Sequence, residues 1–299
     1  MSYQPLISVQ ELLPHIEEPD VAVIDCRFHL LEPERGESEY LEAHIPGAIY
    51  AHLDRDLSAP ATGSNGRHPL PSVEKMVRLF AQWGIDAGVQ VVAYDGDSGQ
   101  IAARLWWMLR YAGHDNVAVL DGGLRAWKEA GLALGVGRQR RPSGDFQPQV
   151  RERMRVDVVQ ILKHVEEPAS SEIGLLIDAR DPKRYRGEEE PIDPVAGHIP
   201  RARNHFHQSN LDGRGRFLPS EELRRRFQSL LGETAAEAVA VYCGSGVTAC
   251  HDLLAMEHAG MVGARLYPGS WSEWCADPSR PIETGEGPES KSGKQDRRT

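Results

Sequence analysis

The residues best placed to do chemistry in this chain lie in one hexapeptide, Cys243-Gly-Ser-Gly-Val-Thr248. The apolar stretch before it, ending at Tyr242, predicts a buried strand, and Ala249, Leu253 and Met256 after it recur at helical spacing. Cys243 therefore stands at a strand-to-helix turn. Gly244 and Gly246 allow a tight loop, which Ser245, Val247 and Thr248 complete. Such a loop can turn backbone N–H groups inward, and the helix behind it adds the positive end of its dipole. A thiol held there ionises more readily and is a better nucleophile at neutral pH. The same cradle would stabilise an anionic persulfide. The competing reading makes Cys243 a small buried hydrophobe, the usual fate of a free cysteine. A Gly-Ser-Gly-Val-Thr loop suits plain core packing poorly.

The elements that must position this loop occur twice. Val23-Ile-Asp-Cys-Arg27 recurs as Leu176-Ile-Asp-Ala-Arg180, Ala43-His-Ile-Pro-Gly-Ala48 as Gly197-His-Ile-Pro-Arg-Ala202, and Leu70-Pro-Ser72 as Leu218-Pro-Ser220. Tyr94-Asp-Gly96 matches Tyr242-Cys-Gly244, and Asp121–Trp127 matches Pro268–Trp274, at an offset of about 150 residues. That is a duplicated domain, since the period is far too long for a solenoid unit. Within each copy, strand-like runs (Val21–Asp25, Val89–Tyr94, Val117–Leu120, then Leu175–Asp178, Ala238–Tyr242, Ala264–Tyr267) alternate with helical patterns. Two of the helices start after the capping residues Ser72 and Asp157. The alternation predicts an α/β fold: two tandem domains, each a mostly parallel central sheet flanked by helices on both faces. The expected boundaries are a first domain over 1–134, a Gly/Pro/charge-rich linker over 135–150, a second domain over 151–285 and a flexible tail over 286–299. At the position of Cys243 the first copy has Asp95, which cannot carry sulfur, so the first domain is expected to be catalytically inactive.

Composition narrows the class of partner. A net charge of −10 repels a nucleic-acid backbone and offers no broad basic face to an anionic membrane. The charge-free run Ala238–His251 falls short of the ~20 residues that span a bilayer. The N-terminus has no basic segment followed by an apolar one, so no secretory signal is expected and a cytoplasmic location is. Four cysteines without CxxC spacing are expected to be free thiols.

The hexapeptide, the paired Asp-x-Arg and His-Ile-Pro segments, Arg104-Leu-Trp-Trp107, Leu120-Asp-Gly-Gly-Leu124 and Gly269-Ser-Trp-Ser-Glu-Trp274 together resemble a tandem-domain sulfurtransferase of the rhodanese superfamily, over residues 5 to 283. The resemblance implies five-stranded sheets and a site between the domains. It also implies a ping-pong reaction, in which a Cys243 persulfide carries sulfur from a small donor to cyanide or a thiol; the physiological acceptor stays open, with thioredoxin or another thiol protein among the candidates. No cofactor or metal is implied. The loop resembles mercaptopyruvate-type members and holds no basic residue, which favours 3-mercaptopyruvate over thiosulfate. In such members the serine matching Ser245 forms a set with an aspartate and a histidine, here Asp54 and His68. A substrate arginine matches Arg184, with Arg186 the neighbouring alternative. A second arginine, in a Glu-Pro-Arg segment, has no counterpart in Gly187–His198, which keeps thiosulfate open as donor.

Other features read as structural. Asp25 with Arg27 and Asp178 with Arg180 recur in both copies, so they are expected to be loop-anchoring ion pairs, and His44 and His198 to be scaffold. Trp106, Trp107, Trp127 and Trp274 are expected in the core or at the domain interface, and Cys250 in packing. Phosphoryl chemistry is disfavoured because Ala249 stands where an arginine clamp would be needed. A reading from another class makes Cys243 the reversible site of a sulfur-carrier or redox-sensing module.

Overall fold

The computed structural model describes residues 5–287 of the 299. The first repeat runs β1 (Leu6–Ile7), α1 (Val9–Leu12), β2 (Val21–Asp25), α2 (Arg35–Glu42), β3 (Ile49–Tyr50), α3 (Val73–Gln82), β4 (Gln90–Tyr94), α4 (Ala102–Tyr111), β5 (Val117–Leu120) and α5 (Gly123–Glu129). The second runs α6 (Val158–Glu166), β6 (Leu175–Asp178), α7 (Pro182–Arg186), β7 (Arg203–Asn204), α8 (Ser220–Leu231), β8 (Val239–Tyr242), α9 (Ala249–His258), β9 (Arg265–Leu266) and α10 (Ser270–Trp274). Every strand pair is parallel, in the orders β1-β5-β4-β2-β3 and β7-β6-β8-β9. Strands covered on both faces read as unbroken apolar runs, which is why β2, β4 and β8 stood out without alternation.

One expectation needs correcting. Among the described residues the second sheet has four strands rather than five. The place of β1 is taken by a single bridge between Arg155 and Leu266, where the Val156 amide donates to the Leu266 carbonyl at 2.8 Å. β9 is only two residues long, so it offers a fifth strand too little edge to pair with.

The expected caps form. Ser72 Oγ accepts the Lys75 amide at the start of α3, and Asp157 with Gln160 makes a reciprocal capping box on α6. Met76 and Phe80 of α3 point into the core. The inner faces of both sheets share one continuous apolar cluster, through α4 (Trp106, Trp107) of the first domain and α9 (Leu253, Met256) of the second. Separate clusters line the outer faces, where Trp127 and Trp274 lie. The inner faces are thus one core, and residues from the two domains meet at a fixed relative position.

The 135–150 segment is strapped to the first domain. Gly135 bridges His44, the Gly144 amide donates to the Ala81 carbonyl, and Phe146 packs edge-on to Phe80. Toward the C-terminus Glu283 pairs with His198, and the Gly285 amide donates to the Arg186 carbonyl. Most of the tail expected to be flexible, 288–299, lies outside the described residues. Among the described residues no helix is long and apolar enough to cross a membrane.

Candidate active site

β8 delivers Cys243 to its C-terminal end, the edge of an open α/β sheet where ligands bind. The loop is then fixed by α10. The Cys243 amide donates to Ser270 Oγ at 3.1 Å, and the carbonyls of Cys243 and Gly244 accept the Trp271 and Ser272 amides at 3.0 and 2.9 Å. Gly246 has φ +77°, and a side chain there would run into the Pro268 carbonyl, so glycine is required on both counts. Its amide donates to Cys243 Sγ at 3.1 Å. The amides of Ser245, Val247 and Thr248 have no protein acceptor among the described residues, and all three residues line a cavity of about 560 Å³ beside the sulfur. The loop therefore presents spare donors where negative charge would sit.

Across the domain boundary, His68 Nδ1 lies 2.7 Å from Ser245 Oγ, and His68 Nε2 lies 3.2 Å from Asp54 Oδ1. The tautomer assigned from these contacts carries its proton on Nε2, toward Asp54, and accepts the Ser245 hydroxyl at Nδ1. Burial, with the nearby Arg104 and Arg67 charges, pushes His68 down to about 4, so it is neutral near pH 7. Burial raises the Asp54 carboxyl above its usual range. Ser245 and His68 are thus hydrogen-bonded beside Cys243, with the Asp54 carboxylate next to the other ring nitrogen of His68.

Arg104 holds this chain and the loop together. It is fully buried and donates to the carbonyls of Gly246 and His68, each at 3.0 Å, and of Leu57 at 3.4 Å. No carboxylate partners it among the described residues, and burial pulls its guanidinium below the ordinary range. Sequence reasoning quoted Arg104 without giving it a position in the site. The signal was there: one charge inside the apolar run Ile101–Leu109.

Arg184 of α7 reaches the cavity, while Arg186 does not. Arg184 is paired with Glu190 at 2.6 Å and Asp193 at 3.1 Å and lines the wall. Arg186 is turned away onto Glu188 at 2.7 Å, because two residues along a helix face opposite directions. Arg67, which sequence reasoning passed over although it adjoins His68, also lines the cavity and pairs with Asp193.

The repeated ion pairs take the same form in both copies, and Arg180 also lines the cavity. Arg27 grips Asp25 and the Ala43 carbonyl; Arg180 grips Asp178 and the Gly197 carbonyl. His44 and His198 bond to the carbonyls of Tyr40 and Tyr185 at the same 2.7 Å. Each Asp-x-Arg pair thus clamps its His-Ile-Pro loop. Cys250 packs under the loop, with Sγ 3.5 Å from the Gly246 carbonyl, and burial pushes its thiol up to about 12. All four cysteines are buried and free.

The rhodanese-like domain family matches this chain twice, at residues 8–130 and 158–277. The chain belongs to that family. A Pseudomonas aeruginosa protein named as a probable 3-mercaptopyruvate sulfurtransferase is 48% identical over 288 residues, covering 96% of this chain and 100% of that protein. A Mycobacterium tuberculosis protein with a provisional thiosulfate sulfurtransferase name is 39% identical over 293 residues, covering 94% and 98%. The solved structure of 3-mercaptopyruvate sulfurtransferase from Leishmania major superposes with a TM-score of 0.78 at 30% identity, over 90% of this chain and 74% of that one. The duplication read from the sequence is therefore a pair of rhodanese-like domains in a tandem sulfurtransferase.

Proposed function

We propose that the protein transfers sulfur from 3-mercaptopyruvate to cyanide or a thiol through a persulfide on Cys243. The observation that carries this donor is the Ser245–His68–Asp54 chain beside the sulfur. When the Cys243 thiolate attacks the donor's sulfur, an S–S bond forms and the S–C bond breaks. Its electron pair passes to the methylene carbon as pyruvate enolate. The donor's thiol proton must reach that carbon for pyruvate to leave. Neutral His68, accepting from Ser245 and anchored by Asp54, can take up and return that proton through the serine hydroxyl. Thiosulfate needs no such step, because sulfite leaves with the S–S electron pair and no proton moves.

The persulfide is anionic at its outer sulfur. The Gly246 amide, the spare amides of Ser245, Val247 and Thr248, and the N-terminus of α9 stabilise charge in that position. Attack by cyanide or a thiolate on the outer sulfur returns the S–S electron pair to Cys243. Arg184 supplies a cation for the donor carboxylate. Thioredoxin fits as a thiol acceptor on chemistry alone.

The deciding measurement is kcat/KM with 3-mercaptopyruvate and with thiosulfate, cyanide as common acceptor. We expect 3-mercaptopyruvate to be preferred by at least ~10²-fold, the lower end of what a positioned proton carrier contributes. A clear preference for thiosulfate would overturn the donor, and no mass gain of one sulfur on the Cys243 peptide would overturn the mechanism.

A further inference from the structure

Resting on that reading, we infer that Arg67, a residue of the first domain, is a donor-binding residue that closes on the substrate carboxylate opposite Arg184. The two arginines come from different domains and converge on one spot. A β-carbon added to Gly244 would lie 2.9 Å from Arg67 Nη2 and 3.6 Å from both Arg184 Nη1 and Nη2. Gly244 is the residue next to the nucleophile, so both guanidinium groups border the space in which a donor reacting at Cys243 must lie. The glycine keeps that space open.

Their protein partners leave nitrogens to spare. Arg67 binds Asp193 through Nη1, and Arg184 binds Glu190 through Nε and Nη2 and Asp193 through Nη2. Among the described residues, Arg67 Nη2 and Arg184 Nη1 have no acceptor, and Arg67 Nε is buried without one. Asp193 touches both side chains, so it sets the angle at which they converge. Burial raises its carboxyl above the ordinary range, outweighing the opposite pull of Arg67 and Arg184. The backbone of Arg67 is pinned too, its amide donating to Ser272 Oγ of α10 at 3.0 Å. Two unused N–H groups on two rigidly placed guanidinium planes suit the planar, two-oxygen carboxylate of an α-keto acid. The donor would then bridge the domains, gripped from both sides with its sulfur toward Cys243.

The test compares Arg67→Met, which keeps the stem and removes the charge, with Arg67→Lys, which restores a point charge without the fork. Under this assignment KM for 3-mercaptopyruvate rises ~10-fold or more in Arg67→Met and by less in Arg67→Lys, with kcat within about threefold of wild type, as loss of uniform binding requires. The inhibition constant of pyruvate, which shares the carboxylate, rises in step. Discharge of the preformed Cys243 persulfide by cyanide keeps its wild-type rate, because that step involves no carboxylate. Unchanged KM and pyruvate inhibition in Arg67→Met, with wild-type turnover intact, would overturn Arg67 as a ligand and leave the proposed function standing. Equal losses in KM, kcat and persulfide discharge, together with a lowered melting temperature, would reduce Arg67 to a domain tie and overturn the assignment. A wild-type protein inert toward 3-mercaptopyruvate would overturn the proposed function, and this inference with it.

Discussion

Asp95 and Cys243 end equivalent strands, β4 and β8, and open loops of the same kind, but the loops are filled differently. In the first domain the Asp95 carboxylate fills its own loop. Oδ1 accepts the amides of Gly99 and Asp97 at 2.9 and 3.3 Å, and Oδ2 those of Ile101 and Ala102 at 2.9 and 3.3 Å. In the second domain one amide meets sulfur, and those of Ser245, Val247 and Thr248, residues that line the cavity, have no protein acceptor among the described residues. A loop built to gather backbone donors can therefore hold a permanent anion or an exchangeable one. The permanent anion leaves a scaffold and the exchangeable one leaves a site. His68, Arg67 and Arg104 of the first domain border the loop of the second, with Asp54 next to His68.

The strongest way to break this comparison is to exchange the two residues. Cys243→Ser should lower kcat/KM by at least ~10³-fold and abolish the one-sulfur mass gain, because the covalent carrier is gone. Adding Asp95→Cys to that variant should restore nothing. The cysteine would enter a loop without an equivalent of Ser245, since Asp97 stands there. Cys250→Ser should stay within about threefold of wild type, its thiol being buried and hard to ionise. Recovered activity in the double exchange would show that the loops are equivalent and the donor groups dispensable.

The proton chain is the next difference between the loops. His68→Ala should lower kcat with 3-mercaptopyruvate by ~10²-fold, the scale of a lost general acid–base group, and kcat with thiosulfate much less, as no proton moves there. Equal losses with both donors would assign His68 to loop support. Its titration also marks stability. His68 and His207 are both pushed down to about 4 by burial, below the value near 6.5 of an unfolded histidine. The unfolded chain therefore takes up protons first as pH falls, so stability is full above about 6.5 and declines toward about 4. Urea midpoints at pH 7.5, 5.5 and 4.5 should fall in that order, and flat midpoints would refute the shifts.

Legibility in the sequence followed the length of the signal. β2, β4, β6 and β8 were readable because buried parallel strands are continuous apolar runs, and the duplication doubled each signal. The two-residue edge strands β3 and β7 carry too little periodicity to be seen, and the missing fifth strand of the second sheet turns on a single bridge. Cys243 stood out because the matching position of the other copy holds Asp95. Arg67, Asp193 and Glu190 did not, because Arg67 meets Asp193 across more than a hundred residues of chain, and sequence spacing says nothing of that. The 135–150 segment, expected to be a linker, carries contacts of its own. Its composition is that of a loose linker, yet the Arg141 guanidinium donates to the Val21 and Pro19 carbonyls at 2.7 and 2.6 Å and Phe146 is buried, contacts that composition does not encode.

A smaller effect should follow from loosening the permanent anion. Asp95→Asn keeps the shape but faces an amide NH₂ toward backbone donors that need acceptors. It should cost about 1–3 kcal/mol of stability, the usual penalty for buried groups left unmatched. Activity per folded molecule should change by less than about twofold, since Asp95 touches no group of the second loop. Calorimetry and kcat on the same preparation separate the two quantities. A large loss of kcat at unchanged stability would mean that the first loop takes part in the reaction after all.

The smallest expected effect distinguishes two arginines on one short helix. Arg184 and Arg186 both lie in the last turn of α7, and charge alone cannot choose between them. Geometry does: Arg184 lines the cavity, whereas Arg186 bonds to Glu188 through Nε at 2.7 Å and Nη2 at 3.0 Å outside it. Exposed pairs of that kind contribute little, about 0–1 kcal/mol. Arg186→Ala should therefore leave KM for 3-mercaptopyruvate within about twofold of wild type, while Arg184→Ala raises it by ~10-fold or more through loss of a charge-assisted contact. If the two variants raise KM alike, the donor is drawn in by the summed charge of α7 and not by guanidinium groups fixed beside Gly244. The clamp drawn from both domains would then give way to a diffuse field from the second alone.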